Sequence, residues 1–84
     1  MTDKRLKNRI KVYRAMHDWT QEELARRVDV TRKTINTIEN QKYVPSTYLA
    51  LKIARAFGVS AEDLFQIDDN DVFDNTETID VKAR

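Results

Sequence analysis

Apolar positions recur at helical spacing along most of this chain. Leu6, Ile10, Tyr13 and His17 stand at i, i+4, i+7 and i+11, which predicts a first helix over residues 4–17. Asp18 ends it, and Trp19 follows as an apolar plug for the core. Leu24, Ala25 and Val28 share one side of a second short pattern. Thr20 opens that pattern as an N-cap, with Glu23 placed to complete a capping box. Thr31 offers a second N-cap, and Thr34, Ile35 and Ile38 form the stripe behind it. Residues 42–45 read as a loop. Ser46 then caps a fourth helix running to Phe57, with Leu49, Ala50, Ile53, Ala54 and Phe57 on its core face and Gly58 as its stop. Ser60 and Asp63 open a short fifth helix whose apolar residues are Leu64, Phe65 and Ile67.

The pattern changes after residue 67. Asp68 to Asp74 is acidic and turn-rich, and residues 76–82 alternate, with Ile79 and Val81 set against Asp80 and Lys82. The stretch reads either as a solvated acidic tail or as a short β-strand with one apolar face. We expect the strand. An isolated strand is unstable, so it needs a partner. With no other strand pattern in the chain, that partner is the same tail of a second subunit. Val12 and Met16 form a further apolar pair off the first stripe. They are either scattered surface residues or a contact for the tail or a second subunit.

The third helix carries the polar face of most interest. At about 100° per residue from Arg32, Thr34, Ile38 and Ile35 fall near 200°, 240° and 300°, while Arg32, Asn36, Asn40, Lys33 and Thr37 span roughly 0° to 140°. That second face holds cations, amides and a hydroxyl, with no acid. Such groups contact phosphates and donate to base edges in a major groove. The ordinary reading of such a face is solvation. The preceding helix and the tight turn favour recognition, because a second helix held across a first by a short turn is the arrangement that enters the groove.

Those residues carry a family resemblance. Gln21, Glu23, Leu24, Ala25, Val28, Val30, Thr31, Thr34, Ile35, Ile38, Glu39, Asn40, Lys42, Pro45 and Ser46 resemble the phage-repressor-like helix-turn-helix family of Cro, lambda-repressor and Xre type, over about residues 6–67. The resemblance implies an all-α fold, a five-helix lambda-repressor-like domain over residues 1–67, followed here by the acidic tail of residues 68–84 with its short β-strand near 76–82. It implies an ion pair between Arg14 and Glu39, and phosphate-holding roles for Gln21 and Asn40. At Asp18, Asp29 and Gln41 the family usually has glycine, which puts a left-handed backbone in question there.

Arg32 and Lys33 are best placed to reach guanine edges, and Asn36 and Thr37 to read the next bases. Thr31, Lys42 and Tyr43 join Gln21 and Asn40 as phosphate contacts, helped by the amides at the helix start near Gln21. The function expected is sequence-specific binding of double-stranded DNA by a transcriptional regulator, a repressor acting as a homodimer on a palindromic operator. Tyr48, Leu51, Ile79 and Val81 are the candidate dimer contacts. An alternative is an antitoxin, whose tail wraps a protein partner while the domain represses its own operon.

Composition narrows this further. The chain has 84 residues, enough for one small domain, and no cysteine, which removes disulfides, thiolate metal sites and cysteine nucleophiles. A single histidine, a single glycine and no phosphate-binding loop argue against an enzyme, and no cofactor or metal is expected. His17 reads as a residue favoured at a helix C-terminus by the dipole. No apolar run reaches the ~20 residues of a membrane span, so the expectation is a cytoplasmic protein with no membrane contact. The net charge of +1 conceals an asymmetry. Residues 1–67 hold 13 Lys and Arg against 8 Asp and Glu, a balance of +5, while residues 68–84 hold 2 against 6, a balance of −4. A basic body suits a polyanionic partner.

Overall fold

Local capping chemistry sets the helix boundaries. The computed structural model describes residues 6–67, which form β1 (Leu6–Asn8), α1 (Ile10–His17), α2 (Gln21–Val28), α3 (Arg32–Glu39), α4 (Thr47–Phe57), α5 (Ala61–Leu64) and β2 (Phe65–Ile67). The hydroxyls of Thr20, Thr31, Ser46 and Ser60 each accept from the backbone N–H three residues on. Each satisfies an N–H that has no partner within its helix. The reciprocal half of a capping box is present only at Ser60, where the Asp63 carboxylate accepts from the Ser60 N–H. At Thr20 the expected box is incomplete, because the Glu23 carboxylate is drawn to Arg26 and Arg27 instead.

Helices α1 to α4 all end alike. Asp18, Asp29, Gln41 and Gly58 adopt positive φ of 60°, 64°, 61° and 75°. The next residue in each case donates its N–H to a carbonyl five residues back: Trp19 to Arg14, Val30 to Ala25, Lys42 to Thr37 and Val59 to Ala54. This is the Schellman closure, in which the residue after the left-handed one packs back on its helix. Trp19, Val30 and Val59 accordingly lie against the core. Trp19 stacks on Phe57 at 5.3 Å between centroids, and the Arg27 guanidinium lies over its ring at 4.2 Å. Three of these left-handed turns, where the family resemblance put glycine, are made by two aspartates and a glutamine.

The first helix departs from expectation. It begins at Ile10, and Leu6–Asn8 form a strand paired antiparallel with Phe65–Ile67 in the register Leu6↔Ile67, Lys7↔Gln66, Asn8↔Phe65. Asn8 explains the break. Its Oδ1 accepts from the Ile10 N–H at 3.2 Å, and its Nδ2 donates 2.9 Å to the Ile38 carbonyl near the end of α3. The Arg9 N–H goes to the Leu64 carbonyl. Continuing the helix through residue 8 would sacrifice all of these bonds. Phe65 and Ile67, expected as apolar residues of the fifth helix, instead lie in β2, and Ile67 is 64% exposed.

Ile10, Leu24, Ala25, Val28, Ile35, Ile38, Leu49, Ile53, Ala54, Phe57 and Leu64 form one buried cluster drawn from all five helices. Each large aliphatic side chain there contributes about 1.5–3 kcal/mol by leaving water. The core holds α2 and α3 in fixed relation, with Val28 on one side of their turn and Ile35 on the other. Five helices therefore stand as expected, with a small two-stranded sheet added where the two ends of the domain meet. The segment near 76–82, with Ile79 and Val81, and the acidic stretch before it lie outside the described residues. Among the described residues no helix is long and apolar enough to cross a membrane.

Candidate nucleic-acid interface

Burial of Ile35 and Ile38 fixes which side of α3 is left to solvent. Arg32, Lys33 and Asn40 on that side are exposed, and Asn36 and Thr37 are half-buried between them. The carboxylate at the end of the helix, Glu39, is turned inward. Its side chain is 7% exposed, so the outer face carries no acid. Lys42 and Tyr43 follow in the loop, and with Lys33, Thr34 and Thr37 they line a shallow recess of about 320 Å³. Two lysines lining one recess suit a phosphate.

Glu39 accepts three hydrogen bonds from two side chains. Arg14 donates Nε to Oε2 at 2.6 Å and Nη2 to Oε1 at 3.2 Å, and Gln21 donates Nε2 to Oε1 at 3.0 Å. Arg14 also donates Nη1 to the Trp19 carbonyl at 3.0 Å and is itself only 15% exposed. The expected pair between α1 and α3 is thus two-pronged and largely screened from water. Such pairs have far more defined geometry than surface ion pairs.

Gln21 is the junction between α2 and α3. Its Oε1 accepts from Arg32 Nη1 at 3.3 Å and from Asn36 Nδ2 at 3.4 Å. One hydrogen of its Nε2 goes to Glu39, leaving the other for a phosphate oxygen. Residues at the start of α2 also retain N–H groups without helical partners. Of the other expected phosphate contacts, Thr31 has its hydroxyl engaged as the cap of α3 and in a 3.0 Å bond with Thr34 Oγ1. The Asn40 amide donates back to the Asn36 carbonyl at 2.9 Å and to Asn36 Oδ1 at 3.2 Å. Its free group in this arrangement is an acceptor. Thr37 points its hydroxyl at the carbonyls of Lys33 and Thr34, so it offers outward a methyl and lone pairs. The free donors on α3 are therefore concentrated at Arg32 and Lys33.

Tyr48 and Leu51, on α4, are 72% and 53% exposed. They line a broad groove of about 770 Å³ between α4 and the start of α5, with Lys52, Arg55 and Val59. Val12 and Met16 are also exposed, at 55% and 71%. Sequence reasoning missed Asn8, whose side chain ties β1 to the end of α3. The signal available was that an asparagine side chain readily bonds the backbone two residues on and so competes with a helix.

A helix that packs across another through a closed left-handed turn, with an acid-free outer face, is the helix-turn-helix arrangement. Residues 10–64 match the family model described as helix-turn-helix. The chain belongs to that family. It is 52% identical over 66 residues to an uncharacterized HTH-type transcriptional regulator of Methanocaldococcus jannaschii, covering 79% of this chain and the whole of that protein. It is 48% identical over 69 residues to another of Archaeoglobus fulgidus, covering 82% and 97%. Among solved structures, a Bacteroides fragilis protein provisionally named as DNA-binding superposes with a TM-score of 0.66 at 30% identity, covering 73% of this chain and 98% of that one.

Proposed function

We propose that this protein is a sequence-specific DNA-binding transcriptional regulator that represses by occupying a palindromic operator as a homodimer. The observation that carries the reading is the outer face of α3, where Arg32 and Lys33 are exposed beside Asn36 and the helix's own carboxylate, Glu39, is turned inward and paired with Arg14. In this reading Arg32 and Lys33 donate to guanine edges, Asn36 and Thr37 read neighbouring bases, and Gln21, Thr31, Asn40, Lys42 and Tyr43 set the docking on phosphates. One recognition helix reads too few base pairs for useful selectivity in a genome. A two-fold pair of domains reads two half-sites about 34–36 Å apart.

The exposed Tyr48 and Leu51 supply a self-complementary surface for that pairing, and strands containing Ile79 and Val81 would extend it across the two-fold axis. The M. jannaschii relative is spanned entirely by a 66-residue match, so it has no counterpart to about a fifth of this chain.

Arg32→Ala and Lys42→Ala test the division of labour. Arg32→Ala should weaken the selected operator by about 1–3 kcal/mol and relax preference at one base pair. Lys42→Ala should weaken all duplexes nearly equally and reduce the salt slope by about one unit. Equal losses on operator and random DNA for Arg32→Ala would remove it from base reading.

A further inference from the structure

The groups on the recognition face are joined into a directional chain that begins in the interior. An ionised carboxylate only accepts hydrogen bonds, so the Gln21 amide must turn its Nε2 toward Glu39 Oε1, as it does at 3.0 Å. Its Oε1 is then the end left for α3, where Asn36 Nδ2 donates to it at 3.4 Å and Arg32 Nη1 at 3.3 Å. With Nδ2 on the Gln21 side, Asn36 turns Oδ1 the other way, and Asn40 Nδ2 donates to it at 3.2 Å. Each amide is symmetric in shape and asymmetric in chemistry. Its orientation is decided by the bonds around it. Here every orientation follows from the one before, and the first is set by Glu39, which claims Nε2, together with Arg32, which donates to Oε1.

We propose that Glu39 is a specificity-determining positioning residue, whose buried carboxylate fixes which end of the Asn36 amide donates to a base edge and which accepts from it. This rests on the base-reading function proposed above. Asn36 keeps one Nδ2 hydrogen and one Oδ1 lone pair beyond its bonds within the chain. That pair matches the acceptor N7 and donor N6–H of adenine in the major groove. A turned amide offers the same two groups in reversed order, which adenine in the same register does not match. The ion pair between Arg14 and Glu39 therefore does more than hold α1 to α3. It sets the polarity of a reading group that neither residue touches.

Glu39→Gln tests this in the full-length chain. The Oε1 of the new side chain is claimed by Arg14, so its NH2 faces Gln21 and inverts the series. Arg14→Lys is the control, since it keeps a cation beside an ionised Glu39 while losing the planar fork. The side-chain amide signals of 15N-labelled free protein should move at Gln21, Asn36 and Asn40 in E39Q, and stay in place at Asn36 and Asn40 in R14K. Selection from a random-sequence duplex pool identifies the base pair that loses preference in Asn36→Ala. At that pair E39Q should lose about tenfold in preference while R14K retains it. If E39Q does not fold, the double variant R14M/E39L leaves no buried charge unpaired and removes the acceptor that holds Gln21 Nε2. A folded variant lacking the carboxylate that keeps full preference, or R14K losing as much as E39Q, overturns the proposal. Unmoved Asn36 signals in E39Q also overturn it, alone. A wild type that enriches no sequence overturns the base-reading function and this proposal with it.

Discussion

Replacing Glu39 by alanine removes the acceptor of three hydrogen bonds and the counter-charge of Arg14. What remains is a guanidinium 15% exposed in the intact protein, with the Trp19 carbonyl as its sole partner among those described here. Breaking a screened pair from one side costs about 3–5 kcal/mol, because the surviving ion is left without compensation. A chain of this size has a total stability of about 4–13 kcal/mol. The substitution should therefore remove a large fraction of it, and lower the melting temperature by roughly 12–40 °C at 4–8 °C per kcal/mol. Urea unfolding followed by circular dichroism measures this directly, with an unchanged slope showing that the unfolding transition itself is unaltered. Removing both charges in Arg14→Met/Glu39→Leu should recover most of the loss, since apolar replacement of a whole buried pair is often neutral or stabilising. A loss under about 1 kcal/mol in Glu39→Ala, the range of surface pairs, would refute the view that the pair is energetically buried.

Two further predictions concern the turn after α3 and the pairing surface. Gln41→Gly should stabilise the protein by about 1 kcal/mol, because the 1–2 kcal/mol left-handed penalty of a side chain is relieved and partly offset by a freer unfolded chain. Asp29→Gly should gain less, aspartate being better tolerated there, and thermal melts of the two variants would expose an error in that order. Leu51→Glu should shift the full-length protein toward monomer in sedimentation and weaken operator binding without loss of helical signal. Removal of residues 72–84 should do so to a smaller degree if α4 carries most of the interface, and a tight dimer of unchanged affinity in Leu51→Glu would move the interface elsewhere.

Features decided by near neighbours were legible in the sequence. Thr20, Thr31, Ser46 and Ser60 cap their helices because a short hydroxyl followed by a helical run has an N–H within reach three residues on. The apolar stripe of α3 located its outer face, and hence Arg32 and Lys33. Features decided by distant partners were hidden. Leu6 fits the helical line of Ile10 and Tyr13, but it lies in a strand because its partner is Ile67, a pairing that leaves no mark on either short segment. Glu23 stands where a capping box places it, yet Arg26 and Arg27 compete for its carboxylate and win by charge. Gln21 was expected at the phosphates, and nothing in its local sequence discloses that one amide joins Glu39, Arg32 and Asn36. Such a junction depends on the angle between two helices, which the buried core sets.

The register Leu6↔Ile67 has a mechanical consequence. Both ends of the described stretch, residues 6–67, leave from the same end of a short antiparallel ladder, where paired backbones sit about 4.5–5.5 Å apart. A force pulling those ends apart loads the ladder bonds one after another, as in a zipper, and meets little resistance before the bond from Arg9 to Leu64 is reached. Attached sequence can thus tug on the clasp without first straining the helix pair beyond it. The same adjacency makes the unit a natural insert: two flanking segments enter and exit at nearly one point, so it can be grafted into a surface loop of another protein, or its ends joined by a short linker and reopened elsewhere, with its orientation on DNA undisturbed.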